Sequence, residues 1–594
     1  MVKVHKNSFI NCIALPFKAA PFMSFLQIVS RIISAFMPTL MVLSVAAFVD
    51  ATISSFNGKG TFQQALFPLV CIGAMMVYHE IKGTIMNFVV SKHKILIAEK
   101  IKLDMIKKHA GLEYWHIENN DTWDLINRVC GNSVDSINES FNAAIGMAET
   151  IVKMALLVSL MTSYVWWAGI LMVLLCTPMV IVSFISGRIH YNADVEADKY
   201  VRRADYYNQI LMDREYAEER TLFSYTDAIN KKWFDLFEKA RKTRLRANAK
   251  NNIKMYIISF VIGIACFSMT AVLLLTLLSG AVTIGIFIGF SNAAFQNVRN
   301  LGWELSYGTK NLAKSMSYMK DLKSFYELSG NEKYLESAKH NVSGHCDIEF
   351  HNVSFKYPNT EKFILRNLSL KIENGRHYAF VGTNGAGKTT FTKLLLGFYT
   401  GYEGDILING RNIKEYEQSE LKGLIAAVFQ GFARYKISVK DNVAVSDLEH
   451  NTDEKIISVL EKVGLDISSA SISNGLNTVL GKLEGDDDDM SGGQWQKIAI
   501  CRTLVREDVP LMILDEPTAA LDPIAENEIY SLFDNIQKGK TTIFITHRLG
   551  SARFADKILV LNDGYIKEAG THDELINVNG LYADMFTKQR SWYI

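Results

Sequence analysis

The chain has 594 residues with a formal net charge of +1 from 63 basic and 62 acidic side chains, a length that predicts several domains and a balance that gives no footing for nucleic-acid binding. Its seven cysteines are scattered without CxxC or His-paired spacing, which argues against a disulfide scaffold and against a zinc site. Up to about Gly330 the sequence carries long uncharged apolar runs; beyond it, strand and helix patterns alternate with ordinary charge.

In chain order, Phe9 to Phe22 is amphipathic and twice interrupted by proline, which suits an elbow helix on the inner membrane surface rather than a cleavable signal peptide. A span needs about 20 apolar residues. Ile32 to Val49 and Gly60 to Tyr78 each supply one. Met154 to Gly187 and Met255 to Val298 each fit two, with turns expected at Trp166-Trp167 and Ser279-Gly280. Six transmembrane helices result. The predicted outer loops, Asp50 to Gln64, Ser163 to Trp167 and Ser279 to Thr283, hold only Lys59, whereas Lys92 to Arg128 and Arg188 to Lys250 are rich in Lys and Arg, so both termini are expected in the cytoplasm. The two inner stretches read as polar helices, and a 30-residue helical arm would reach about 45 Å. Polar side chains near or inside the spans ask for a cavity or a partner: His79, Glu80 and Lys82; Glu149 and Lys153, four apart and able to pair with each other; and Gln296, Asn297, Arg299 and Asn300.

The second half carries the chemistry. Gly382-Thr383-Asn384-Gly385-Ala386-Gly387-Lys388-Thr389 fits the phosphate-binding loop pattern in full and follows the apolar strand His377 to Val381. Its glycines let backbone N–H groups wrap phosphates, Lys388 can reach the β/γ-phosphates, the Thr389 hydroxyl can ligate Mg²⁺, and a helix begins at about Thr390. Downstream come Met490-Ser491-Gly492-Gly493-Gln494, then Leu511 to Leu514 ending in Asp515-Glu516, and then Ile543-Phe544-Ile545-Thr546-His547.

In this order and spacing the segment from Cys346 to Phe586 resembles the nucleotide-binding domain of ATP-binding cassette (ABC) transporters. The resemblance implies ATP and Mg²⁺ as cofactors. It gives Asp515 and Gln430, with Thr389, to the metal, and Glu516 to general-base work on water. It makes His547 the switch histidine at the γ-phosphate and sets Tyr357 against adenine, with Asp522 in the nucleotide-binding set. Ser491 to Gln494 can cap a helix whose free N–H groups face an anion; in the family that anion is the γ-phosphate bound by a partner domain. A chain with one phosphate loop is then a half-transporter that dimerises. Two departures stand out: Met490 replaces the commoner leucine, and Asp486 to Asp489 precede the signature.

The spans, long arms and bends at Tyr114 to Arg128 and Arg214 to Phe223 resemble the exporter type, in particular bacterial peptide and lantibiotic exporters. The expected architecture is a six-helix membrane domain followed by an α/β phosphate-loop ATPase domain: a 1–24 elbow, a 25–330 membrane domain, a 331–345 linker and a 346–594 ATPase domain. The expected activity is ATP-driven export of a substrate, first a peptide, from the cytoplasm or inner leaflet across a bacterial inner membrane. The alternatives are export of a lipid or amphipathic drug, and a regulatory subunit of a heterodimer with little hydrolysis of its own. Homodimer is favoured over heterodimer, and nucleic acid is not an expected partner.

Overall fold

The computed structural model describes residues 7–591 apart from 294, 296–298, 331, 340–343, 449, 467–473, 482–489, 519–525, 527, 530 and 532–538. Asp486 to Asp489, Asp522, Gln296 and Asn297 lie outside the described residues, as do the side chains of Arg299 and Asn300. The chain forms two compact units, Met1–His109 with Asp121–Leu328, and Ala110–Asn120 with Ser329–Ile594.

The helices follow as α1 (Ser8–Ala19), α2 (Pro21–Phe56), α3 (Phe62–Ile97), α4 (Leu103–Ala110), α5 (Tyr114–Glu118), α6 (Asn120–Cys130), α7 (Ser133–Tyr164), α8 (Trp166–Met212), α9 (Ala217–Phe223), α10 (Thr226–Leu278), α11 (Ile284–Ala293) and α12 (Arg299–Glu327). All but α5 lie wholly or mainly in the first unit. Among the described residues, four stretches are long and apolar enough to cross a membrane: Pro21–Phe56, Phe62–Ala110, Ser133–Tyr164 and Thr226–Leu278. The first long apolar window breaks at Val165, between α7 and α8, where the backbone turns extended. The second breaks after Leu278. Gly285 of α11 packs so tightly on α2 that a Cβ there would stand 2.0 Å from the Ala46 carbonyl oxygen, the close approach small residues permit between membrane helices.

Two ion pairs in this unit tie helices together. Arg31 donates to Glu149 at 2.8 Å and Lys153 to Glu304 at 3.0 Å. Glu149 and Lys153 therefore do not need each other, contrary to the expectation from their spacing: each finds a partner on another helix. Lys82 donates to the Ser34 hydroxyl.

The second unit holds two sheets. Strands β1 (Ile348–Phe355), β2 (Leu365–Ile372), β4 (Glu403–Ile408) and β5 (Arg411–Asn412) form an antiparallel sheet in the order β2-β1-β4-β5. Strands β3 (His377–Gly382), β6 (Ile425–Val428), β7 (Leu511–Asp515), β8 (Thr541–Ile545), β9 (Lys557–Asn562) and β10 (Tyr565–Gly570) form the other in the order β10-β9-β3-β8-β7-β6. Pairing is parallel from β9 through β6, and only β10 runs antiparallel. Every residue of β7 and β8 is buried, the continuous apolar character of a parallel sheet covered on both faces. Helices α13 (Lys388–Leu395), α14 (Gln418–Leu424), α15 (Val439–Ala444), α16 (Asp453–Lys462) and α17 (Gly492–Leu504) complete the elements used below. Strands β3, β6, β7 and β8 thus end on one edge of the sheet, where parallel α/β folds bind ligands.

Candidate active site

Between the end of β3 and the start of α13 lies the phosphate loop. Gly382 and Gly387 have φ of +154° and +107°, and a Cβ would stand 2.2 Å from the Leu561 carbonyl oxygen at the first and 2.7 Å from Leu365 Cδ2 at the second. Glycine is required at both by conformation and by space. Lys388 is buried, and its Nζ donates to the carbonyls of Gly382 (2.8 Å) and Thr383 (3.0 Å). Burial pushes its pKa down, while Glu516 and Asp515 oppose that shift.

The register of β7 on β8 pairs Asp515 with Ile545. Glu516 and His547 therefore leave adjacent strands side by side, and the Glu516 N–H donates back to the Ile545 carbonyl at 2.9 Å. Glu516 sits at φ +50°, a left-handed conformation unusual for a side chain of this kind, and such outliers cluster at functional positions. Its carboxylate is held twice: Gln430, two residues beyond β6, donates Nε2 to Oε2 at 2.9 Å, and His547 Nε2 meets Oε1 at 3.0 Å. Burial and then the nearby Lys388 charge hold the His547 pKa below its ordinary value against the pull of Glu516, so the neutral imidazole donates to the carboxylate. Asp515 is pushed up to about 6, by burial first and by Glu516 second, with Lys388 opposing.

A cavity of about 490 Å³ gathers Tyr357, the loop from Asn384 to Thr390, Gln430, Asp515, Glu516 and His547. Within it Asn384, Gly385 and Thr389 are exposed while Lys388 and Thr390 are buried. Ser491, Gly492, Gly493 and Gln494 do not line it. They open α17 as a capping box: the Ser491 hydroxyl accepts from Gln494 N and the Gln494 side chain accepts from Ser491 N. Sequence reasoning passed over Gln496, whose Nε2 donates to the Glu516 carbonyl at 3.1 Å and so fixes the backbone under the carboxylate. No spacing rule marks it, because its contact depends on how α17 lies against the end of β7.

Loop, lysine, paired carboxylates and histidine at the ends of parallel strands define a phosphate-loop ATPase domain in a chain that also carries membrane helices. The family model described as ABC transporter matches residues 365–519. The subtilin transport ATP-binding protein SpaT of Bacillus subtilis is 32% identical over 515 residues, covering 86% of this chain and 82% of that protein. The nisin transport ATP-binding protein NisT of Lactococcus lactis subsp. lactis is 27% identical over 567 residues, covering 95% and 93%. A solved structure of a bacterial Atm1-family ABC exporter with ATP bound shares the fold, with a TM-score of 0.71 at 22% identity over 94% of this chain and 97% of that one. The chain belongs to the ABC transporter family. It is an ATP-binding membrane protein of bacterial type that hydrolyses ATP to drive transport.

Proposed function

We propose that the chain is a peptide-exporting half-transporter that works as a homodimer, with six spans and both termini in the cytoplasm. The observation that carries the catalytic part is the double hold on Glu516 by Gln430 and His547 inside the cavity that contains the phosphate loop. In this reading Glu516 orients the attacking water and accepts its proton, His547 and Gln430 keep the carboxylate aimed, and Lys388 with the loop N–H groups binds the β/γ-phosphates. Tyr357 offers its ring to adenine. The oxygen donors Thr389, Asp515 and Gln430 would hold Mg²⁺, which would supply charge neutralisation to the bound phosphates. No cluster of three or more His, Cys, Asp or Glu side chains stands ready to hold a metal alone among the described residues. Because Ser491 and its helix N-terminus do not line the cavity of their own chain, they serve the nucleotide of a second copy.

The cargo reading rests on the relatives named for subtilin and nisin transport and on the membrane unit's own cavities. One, of about 770 Å³, is lined by Met37, Met41, Met75 and Met76 together with His79, Glu80 and Lys82. The other, of about 610 Å³, shares Glu149 and Lys153 with it and is lined by the Arg31, Glu304 and Lys314 side chains. Flexible thioethers beside paired charges suit an amphipathic chain with polar side groups. Stimulation of ATP hydrolysis in lipid nanodiscs tests this: a lantibiotic-type peptide should raise the rate at concentrations where a long-chain lipid does not. Stimulation by the lipid alone would move the cargo to the lipid class.

A further inference from the structure

The eleven residues Ala110–Asn120 stand among the membrane helices in sequence yet belong to the ATPase unit. They are fastened there at several points. Leu112 makes an antiparallel bridge to Gly330, Glu113 N donates to the Ser329 carbonyl, and His116 Nε2 lies 2.8 Å from the Ser329 hydroxyl. The Tyr114 ring stacks on Phe398 at 4.7 Å and meets Tyr399 edge-on at 6.0 Å. At the end of α5 the Glu118 carboxylate accepts hydrogen bonds from the Lys393 ammonium and the Tyr399 hydroxyl.

Lys393 lies on α13, five residues beyond Lys388. Its ammonium stands 5.5 Å from the Tyr114 ring centre and 5.6 Å from the Tyr357 ring centre, within cation–π range of both. Tyr357 is braced by Tyr399 edge-on at 5.5 Å, by Phe355 at 5.2 Å, and by its hydroxyl 3.0 Å from the Thr390 hydroxyl. Burial, the largest single influence on each, would push Glu118 up and Lys393 down, but their mutual hydrogen bond together with the neighbouring tyrosines and charges outweighs it, leaving Glu118 below and Lys393 above the ordinary values. Both are charged at neutral pH. The phosphate chemistry makes no use of either.

We propose that Lys393, anchored by Glu118, is a positioning residue for the nucleotide base: it holds the Tyr357 ring toward the cavity and ties the 110–120 insert to whether a base is stacked there. A cation over an aromatic ring fixes the ring's plane and leaves the opposite face for another partner, and Tyr357 does line the cavity. Because coupling of two binding equilibria is reciprocal, a segment that positions the base platform must itself respond to the base. This inference rests on the reading of Tyr357 as that platform.

The test uses the full chain in nanodiscs with Mg²⁺ and two probes, ATP and inorganic tripolyphosphate, which lacks the base. The ratio of their Kd values isolates the base, and hydrogen exchange over residues 114–119 reports on the insert. Tyr357→Ala should bring the ratio close to one. Lys393→Met, which keeps the stem and removes the charge, should lower the ratio about threefold or more, the scale of a partly desolvated cation–π contact. Lys393→Arg should restore most of it. In the unmodified protein ATP should protect the insert more than tripolyphosphate does, and Glu118→Gln or Lys393→Met should erase that difference. An unchanged ratio in Tyr357→Ala overturns the platform reading and the inference with it. A ratio lost in Tyr357→Ala but kept in Lys393→Met overturns the inference alone. A reduced ratio with the exchange difference intact removes the insert from it. Should Lys393→Met fail to fold, Glu118→Gln carries both measurements.

Discussion

The two units handle polar groups in opposite ways. In the ATPase unit they converge: the parallel strands β3, β6, β7 and β8 deliver Lys388, Gln430, Asp515, Glu516 and His547 to one cavity, where burial and close charges shift the proton affinities of Lys388, Asp515 and His547. In the membrane unit Arg31 with Glu149 and Lys153 with Glu304 form pairs between helices, beside one methionine-rich cavity and another lined by charged side chains. Convergence makes a reactive site, because each group changes its neighbour's chemistry. Pairing between helices makes a polar lining whose members neutralise one another, which suits holding a cargo and releasing it.

The contrast can be broken first at its strongest point. Glu516→Gln should keep ATP affinity near normal and lower turnover by about 10³-fold, within the range for a positioned general base; near-normal phosphate release from the purified variant would remove Glu516 from the chemistry. Lys388→Ala should act on binding instead, weakening ATP by roughly 10- to 100-fold, the scale of a charged hydrogen bond, as read by nucleotide titration.

Acidity supplies the third test. Protons compete with Mg²⁺ for Asp515, so metal binding requires the deprotonated carboxylate, which is lost as pH falls through about 6. The Mg²⁺ concentration for half-maximal hydrolysis should be flat above pH 7 and rise toward about tenfold per unit below 6. Asp515→Asn should weaken Mg²⁺ dependence at every pH and remove the inflection. A profile that keeps its inflection near 6 in the variant assigns it to another group. The smallest effect belongs to the second bend: Tyr216→Ala should leave ATP Kd unchanged and reduce peptide-stimulated hydrolysis about fivefold, a typical coupling energy. Full stimulation in that variant would make the bend a plain connector. The dimer is sharpened by cysteines at Thr383 and Ser491, which should crosslink between chains with ATP and hardly without it.

Much of the site was legible because its motifs are local: a loop of eight residues, a strand ending in two acids, a strand ending two residues before a histidine. The sheet that gathers them was legible in the continuous apolar runs Leu511 to Leu514 and Ile543 to Ile545. Trp166-Trp167 and Ser279-Gly280 marked the breaks between successive helices, because a charge-free window cannot show its own turn except through such residues. Partners across helices were not legible. Spacing along α7 put Glu149 beside Lys153, but Arg31 and Glu304 come from elements far away in sequence. Gln496 and Lys393 look like ordinary helix positions until α17 and α13 are set against the strands and the insert. The helical bend at Tyr114 was expected, but its stacking on Phe398 and its tie through Lys393 to Tyr357 depend on tertiary packing that no local pattern encodes.

The central claim is that hydrolysis at Glu516 drives movement of a peptide through the membrane unit. Uptake of a lantibiotic-type peptide into inside-out membrane vesicles, measured together with phosphate release, tests it most directly. The unmodified protein should accumulate peptide only with ATP and Mg²⁺, in step with hydrolysis, and Glu516→Gln should bind ATP yet accumulate none. Uptake that persists in Glu516→Gln, or hydrolysis that proceeds at full rate with no uptake of any peptide, would contradict the account.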